Sequence, residues 1–516
     1  MTMNAQGEVL EKPTNSEDDT AAPRNEVTTT RGSEEKEEEE EESVLRVMAG
    51  GLSGNILEWF DFSVYAAVAG EIGQNFFPDN SKTAQTIGAL AVFAGAFVMR
   101  PIGGIIFGFI GDKSGRKTSL VLSIMLMAIT SFLMGIMPTY SSIGLSASIM
   151  LVTLKLFQGL SVGGEMVGSM LFLCEYSPKE NRGFYGSTVM ASAVIGIALG
   201  VAAVAFLRLI FSPQQMLDFG WRIPFICGVG IAAVALWVRF ALREPPAFRK
   251  LEASGQVADN PVWTALRDHW QLVIMFAGCN ALWCSSTWAA TAFLPYTYLS
   301  NEDLVNEPTP HSGLVSTIFL CLSAVTICSF GVVSDRVGQR TSIMIWGTLF
   351  LGLTFPIAFA LFNMGTIFYT SLGFVLIILG IGMVGGPLAA WMCEAFPSAS
   401  RYTAIAMGYN ISQACFGGTS PVILTTLAAR DRSTWGASPG LYMSAISFFC
   451  MSAFFFTNLY RKKVNTTPNE EEVENEAGRC SSQNSRFLAI ILFSLMLWTS
   501  GKGGTPVVAD DIPDEL

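Results

Sequence analysis

Asp112-Lys113-Ser114-Gly115-Arg116-Lys117-Thr118-Ser119 follows the second long apolar run of the chain, and Asp335-Arg336-Val337-Gly338-Gln339-Arg340-Thr341-Ser342 follows the eighth, 223 residues later. Each carries an acid, a glycine three residues on, a base two further, then Thr-Ser. A second pattern, Glu175-x-x-Pro178-x-x-x-Arg182, returns as Glu394-x-x-Pro397-x-x-x-Arg401 after 219 residues. Two unrelated patterns at nearly one offset indicate a duplicated unit.

The composition says what is duplicated. Of 516 residues, 51% are hydrophobic and 14% charged, whereas about a quarter of a soluble domain is charged. Twelve apolar runs lie between residues 47 and 460, each near the roughly 20 residues that a hydrocarbon core of about 30 Å demands. The expected fold is an all-α integral membrane protein, with twelve transmembrane helices in two pseudo-symmetric six-helix bundles over 44–240 and 271–463. A charged, proline-interrupted linker, 241–270, joins them.

Lys and Arg concentrate in the loops that carry the repeated patterns. The positive-inside rule therefore places those loops and both termini in the cytosol, and the expected location is the plasma membrane. The net charge of -11 belongs to the ends: residues 1–43 hold 14 acids and 4 bases, and 461–516 hold 9 and 6. Residues 1–43 contain few large apolar side chains and read as a disordered acidic tail. The tail 464–516 contains an apolar piece, 487–499, too short to cross a bilayer unaided.

Soluble enzyme chemistry finds no support. The ten cysteines form no C-x-x-C pair, only two histidines are present, and no phosphate loop, nucleophile elbow or dinucleotide fingerprint occurs. The chain is expected to be no enzyme and to need no metal or cofactor, with the proton as coupling ion. Its expected partners are a small-molecule substrate and the lipid bilayer, without nucleic acid, and a monomer is compatible with this.

Chemistry concentrates where charge enters the apolar runs. Glu58 and Asp61 lie three residues apart in the first run, with Tyr65 a turn beyond, so one face of that helix is polar at membrane depth. Placing a carboxylate there costs at least a few kcal/mol. At about 1.5 Å per residue, Glu58, Arg100 and Lys155 all fall near the midplane. Arg100 is expected to meet Glu58 or Asp61, as a structural ion pair or as one that breaks on protonation. Glu58 and Asp61 are candidate proton carriers, and Arg100, Lys155, Gln158, Tyr65 and Trp283 candidate substrate contacts. Trp283 and Trp288, with Tyr296 and Tyr298, offer aromatic faces for a quaternary ammonium, or else pack as an interfacial belt. Asp112, Arg116 and Lys117, with Glu165, Glu175 and Arg182, are expected to form one half of a cytosolic gate. Asp335, Arg336, Arg340, Glu394 and Arg401 form the other.

Further stretches carry a family likeness: Gly54-Asn55 with Glu58-Trp59-Phe60-Asp61-Phe62, Arg100-Pro101-Ile102-Gly103-Gly104, Gln158 through Glu165, Gly220-Trp221-Arg222-Ile223-Pro224-Phe225, and Tyr409-Asn410. With the repeated loops, they resemble the major facilitator superfamily, and within it the metabolite:proton symporters that include proline/betaine and 2-oxoglutarate permeases. The resemblance implies alternating access and proton-coupled symport of a small zwitterion or organic acid. It places the proton on Glu58 and Asp61, and a substrate carboxylate on Arg100 and Lys155. The competing readings are an uncoupled facilitator of the same solutes and a transport-dead receptor or scaffold.

Overall fold

The computed structural model describes residues 27–78, 82–255, 257, 259–299, 312–396, 398–430 and 437–466. The described residues up to Phe454 form one compact unit, which holds both repeats, and those from Phe455 a second, helical over 455–466. The apolar piece 487–499 lies outside the described residues.

The first half contains α1 (Val27–Ala67), α2 (Lys82–Lys113), α3 (Arg116–Ile136), α4 (Leu145–Tyr176), α5 (Arg182–Ile210) and α6 (Ile223–Ala241). In the second half α7 (Trp270–Cys279) and α8 (Ala281–Trp288) run into a π-helical stretch, Ala289–Tyr298. Then come α9 (Ser312–Val337), α10 (Arg340–Phe362) and α11 (Ile367–Ala395). After α12 (Arg401–Ser412), a π-helical turn, Gln413–Gly417, leads to α13 (Ser420–Arg430), and α14 (Ser438–Thr466) closes the set.

Among the described residues, ten helices are long and apolar enough to cross a membrane. The two other expected spans have local reasons to differ. The first holds Asn55, Glu58 and Asp61, and the eleventh is broken by the π-helical turn between α12 and α13. Residues 27–43, expected to be disordered, instead extend α1 outward. Glutamate is a good helix former, and a helix already nucleated propagates at little cost.

Glycine sets how closely helices approach. A Cβ on Gly103 would lie 2.0 Å from Leu160 O, one on Gly159 2.2 Å from Ala96 O, and one on Gly163 2.3 Å from Arg100 O. Backbone meets backbone between α2 and α4, as small residues permit in membranes. On the opposite flank of the bundle Asn55 ties α1 to α5, donating to Val189 O and Ser192 Oγ, both at 2.8 Å. The two bundles meet along α2 with α12 and along α5 with α9 and α11. Those seams are also glycine-lined: Gly108 abuts Thr403, and Gly183 abuts Gly331. In the repeated loops Gly115 and Gly338 adopt φ of 103° and 69°, a region that disfavours any side chain.

Arg239, in the last turn of α6, is buried in the N-terminal bundle. It donates to Gly50 O at 2.8 Å, to Leu120 O at 2.6 Å and to both carboxylate oxygens of Glu165. Removing one partner of a buried ion pair costs about 3–5 kcal/mol. Arg239→Met is therefore expected to lower the thermal unfolding temperature of purified protein, and adding Glu165→Leu to recover much of the loss. An unchanged transition in the single variant would show that the pair adds nothing.

Candidate functional site

The site has three parts: a polar core inside the N-terminal bundle, a cavity between the bundles, and a clasp at the end where the repeated loops lie.

In the polar core, Glu58, Asp61, Arg100, Lys155, Gln158 and Tyr65 are all buried, none of them on the lipid-facing surface. Lys155 does not touch Asp61 directly. Its Nζ donates to Gln158 Oε1 at 2.7 Å, and Gln158 Nε2 donates to Asp61 Oδ2 at 2.6 Å and to Ser131 Oγ at 2.9 Å. The ammonium also lies over the rings of Tyr65 (4.1 Å), Phe62 (4.7 Å) and Phe93 (5.8 Å), where ring quadrupoles replace part of its hydration. Tyr65 spends its own hydroxyl on Ala89 O at 3.0 Å.

The expected ion pair of Arg100 with Glu58 or Asp61 does not form within 4 Å among the described residues. Arg100 Nε instead faces Asn410 Oδ1 of the opposite bundle at 3.4 Å, its guanidinium lies over Phe97 (5.4 Å) and Trp59 (5.9 Å), and Nη2 has no hydrogen-bond partner. Both Glu58 oxygens and Asp61 Oδ1 likewise accept no hydrogen bond. The physical reason is competition. Asn410, fixed by donating to Gly163 O at 2.7 Å, is adjacent to the guanidinium, and stacking holds the rest.

Between the bundles lies a narrow cavity lined by residues of both. Its N-terminal wall includes Trp59 and Met166, and its C-terminal wall Trp283, Thr291, Tyr409 and Gln413. Among the described residues, no charged side chain lines it. Of the residues expected to contact substrate, Trp283 lines this cavity, whereas Arg100, Lys155, Gln158 and Tyr65 are not among the residues that line it. Trp288 packs 5.8 Å from Trp59 and 5.0 Å from Phe97, and donates to Gln413 Oε1 at 3.1 Å. Tyr298 instead packs with Phe293 and Phe359, and the side chain of Tyr296 lies outside the described residues. Tyr409, which the sequence offers only within a family stretch, and Gln413 were not expected as substrate contacts, although their four-residue spacing across the end of α12 was a usable signal.

The clasp joins the halves. Asp112 accepts the backbone N–H groups of Tyr402 (3.2 Å) and Thr403 (2.8 Å) at the start of α12, and Asp335 accepts those of Gly183 (2.7 Å) and Phe184 (2.8 Å) at the start of α5. Each repeated carboxylate thus caps a helix of the other bundle, where the unsatisfied N–H groups and the helix dipole both favour negative charge. Glu175 pairs with Arg116 at 3.2 Å and, across the seam, with Arg401 at 3.0 Å. Arg116 also donates to Ser398 O at 3.0 Å, and Tyr402 OH to Gly164 O at 2.7 Å.

Other expected gate residues stay within their own half. Lys117 donates to Phe240 O and Leu242 O, Arg182 to Cys174 O, and Glu165 pairs with Arg239. Arg340 pairs with Asp335 at 2.9 Å and Glu394 at 3.6 Å, while Arg336 is exposed. Behind the clasp Glu244 accepts Lys117 N–H at 3.1 Å. Burial pushes its carboxyl above the usual range, and the backbone hydrogen bonds from Lys117 and Thr118 oppose that shift.

The comparisons with known proteins agree with this architecture. Residues 47–257 match the family model "Sugar (and other) transporter". The chain is 32% identical over 428 residues to the glycine betaine/proline/ectoine/pipecolic acid transporter OusA of Dickeya dadantii, covering 80% of this chain and 82% of that one. It is also 32% identical to the proline/betaine transporter of Escherichia coli, covering 76% and 79%. Among solved structures, the proton:xylose symporter XylE bound to 6-bromo-6-deoxy-D-glucose superposes with a TM-score of 0.61 at 16% identity, covering 81% of this chain and 95% of that one. The inward-open form of XylE from E. coli gives 0.54 at 17%, covering 80% and 95%. The relatives are transporters rather than enzymes, and the chain belongs to the major facilitator superfamily, in the family of the proline/betaine transporters, as a multi-pass membrane transporter.

Proposed function

We propose that this transporter is a proton-coupled symporter of small zwitterions that pair a cationic nitrogen with a carboxylate. The observation that carries the reading is the Asp61–Gln158–Lys155 chain, in which a carboxylate and an ammonium are buried together yet joined only through an amide. A proton on Asp61 removes the anion that balances Lys155, and with it the charge that Gln158 orients toward. That changes how α1 and α4 hold together. Coupling needs such a step: one protonation with a mechanical consequence.

The substrate class follows from the cavity and the relatives. Trp59 and Trp283 present ring faces suited to a substituted ammonium, and Tyr409 and Gln413 supply hydrogen bonds. Arg100, over Trp59 with one nitrogen unpartnered, is the cation that a substrate carboxylate approaches when the wall rearranges. The compounds named for OusA all contain both groups. The Lys/Arg bias supports placing the clasp and both termini on the cytosolic side, and the plasma membrane is the proposed location. In this arrangement the cytosolic end is the one held shut.

Uptake by proteoliposomes under an imposed inward pH gradient tests the proposal. Glycine betaine or proline is expected to accumulate, and a protonophore to abolish the accumulation while sparing equilibration. Accumulation insensitive to the protonophore, or its absence at any gradient, would refute coupling.

A further inference from the structure

Cys174 and Cys393 occupy equivalent places in the two repeats, each immediately before the glutamate of the second pattern, Glu175 and Glu394. At a pseudo-twofold axis a residue meets its own counterpart, and these two do. The Cys174 and Cys393 side chains are neighbours across the seam, both are free and buried, and the Cys174 thiol lies 3.9 Å from Arg182 O. A second geometric observation places the thiol in the seam: a Cβ on Gly186 of α5 would lie 3.0 Å from Cys174 Sγ and 2.8 Å from Ala389 Cβ of α11. One sulfur therefore belongs to each bundle, one residue away from the Glu175 that reaches Arg401 across the same seam.

We propose that Cys174 and Cys393 form an oxidation site, at which a peroxide converts the two thiols into a disulfide that pins the bundles together and arrests transport. When the clasp opens, either thiol becomes accessible and attacks the peroxide, giving a sulfenic acid and one water. When the clasp closes again, the second sulfur displaces hydroxide from the sulfenic sulfur. The disulfide forms, and the released proton and hydroxide leave as a second water. Overall, two thiols and one hydrogen peroxide yield one disulfide and two waters. A reducing cytosol keeps the pair as thiols at rest, and a small dithiol restores it by exchange. The bond to be formed is about 2.0 Å long and joins Cα atoms about 4.4–6.8 Å apart, so the two seam helices must hold the cysteines at that separation when the clasp is shut.

The cross-link does not depend on what is carried; its effect on transport rests on the alternating-access reading. The test inserts a protease site after Gly255, an exposed turn in the linker with open space around it. The full chain is treated with hydrogen peroxide during turnover in proteoliposomes, alkylated, cleaved and run without reductant. Wild type is expected to migrate as one species and to separate into two halves with dithiothreitol, while Cys174→Ser and Cys393→Ser each separate without it. In parallel, peroxide is expected to reduce wild-type uptake at least about tenfold, because the open state is no longer populated. Dithiothreitol reverses the loss, and the double serine variant resists it. Two halves from oxidised wild type, a cross-link that survives either single substitution, or a cross-link with undiminished uptake would overturn the proposal. No gradient-driven uptake by the reduced wild type would instead count against the proposed function and leave the gel result standing.

Discussion

Asp61→Asn is expected to abolish accumulation of substrate against its gradient while leaving exchange across the membrane intact. The expectation comes from where Asp61 sits. It is fully buried in α1, accepts from Gln158, and has a second oxygen with no hydrogen-bond partner. Asparagine is close to it in volume and still offers Gln158 an acceptor, so packing survives, but it cannot take up a proton. One proton supplies about 1.4 kcal/mol per pH unit, or about tenfold accumulation, and a membrane potential adds about 2.3 kcal/mol per 100 mV. Under a one-unit gradient the accumulation ratio is therefore expected to fall from about tenfold to near unity. Preserved accumulation in the variant would move the proton elsewhere, and Glu58, whose two oxygens lack partners, is the residue that Glu58→Gln would then test.

The second large effect is expected at the clasp. Glu175 is buried and accepts from Arg116 of its own bundle and from Arg401 of the other, so Glu175→Gln leaves Arg401 without its anion across the seam and Arg116 with only Asp112, at 3.1 Å. Breaking a buried ion cluster costs about 3–5 kcal/mol. If half of that falls on the shut state alone, the population of the open state rises at least about tenfold, since 1.4 kcal/mol is a factor of ten. The readout is maleimide labelling of Cys393 in a chain whose other cysteines are serine. Cys393 is buried in the seam here, so labelling is expected to accelerate at least about tenfold in the variant. An equal rate in both would mean that Glu175 does not hold the seam shut.

Much of the architecture is legible because membrane depth imposes strict requirements on sequence. Run lengths mark the helices, and the two offsets mark the duplication. The acids of α1 face inward as expected, since a carboxylate on lipid is expensive. Partner choice is not legible. Spacing along one helix says that Glu58 and Asp61 share a face, but not that Gln158 reaches Asp61 before Lys155 does, nor that Asn410 engages Arg100 from another bundle. In sequence the repeated loops look like charges seeking opposite charges, and Asp112 and Asp335 do pair with Arg116 and Arg340, but each also accepts two backbone N–H groups at a helix start of the other bundle. Such donors carry no side-chain signature. The burial of Arg239 is not legible either, because the end of an apolar run marks the membrane boundary only roughly and its partner Glu165 is 74 residues away in sequence.

Loading proteoliposomes with a pH-sensitive dye and adding glycine betaine outside, with no gradient imposed, measures coupling at its source. Wild type is expected to acidify the lumen as substrate enters, and Asp61→Asn to admit substrate without acidification. Equal acidification by both would contradict the assignment of the travelling proton to Asp61.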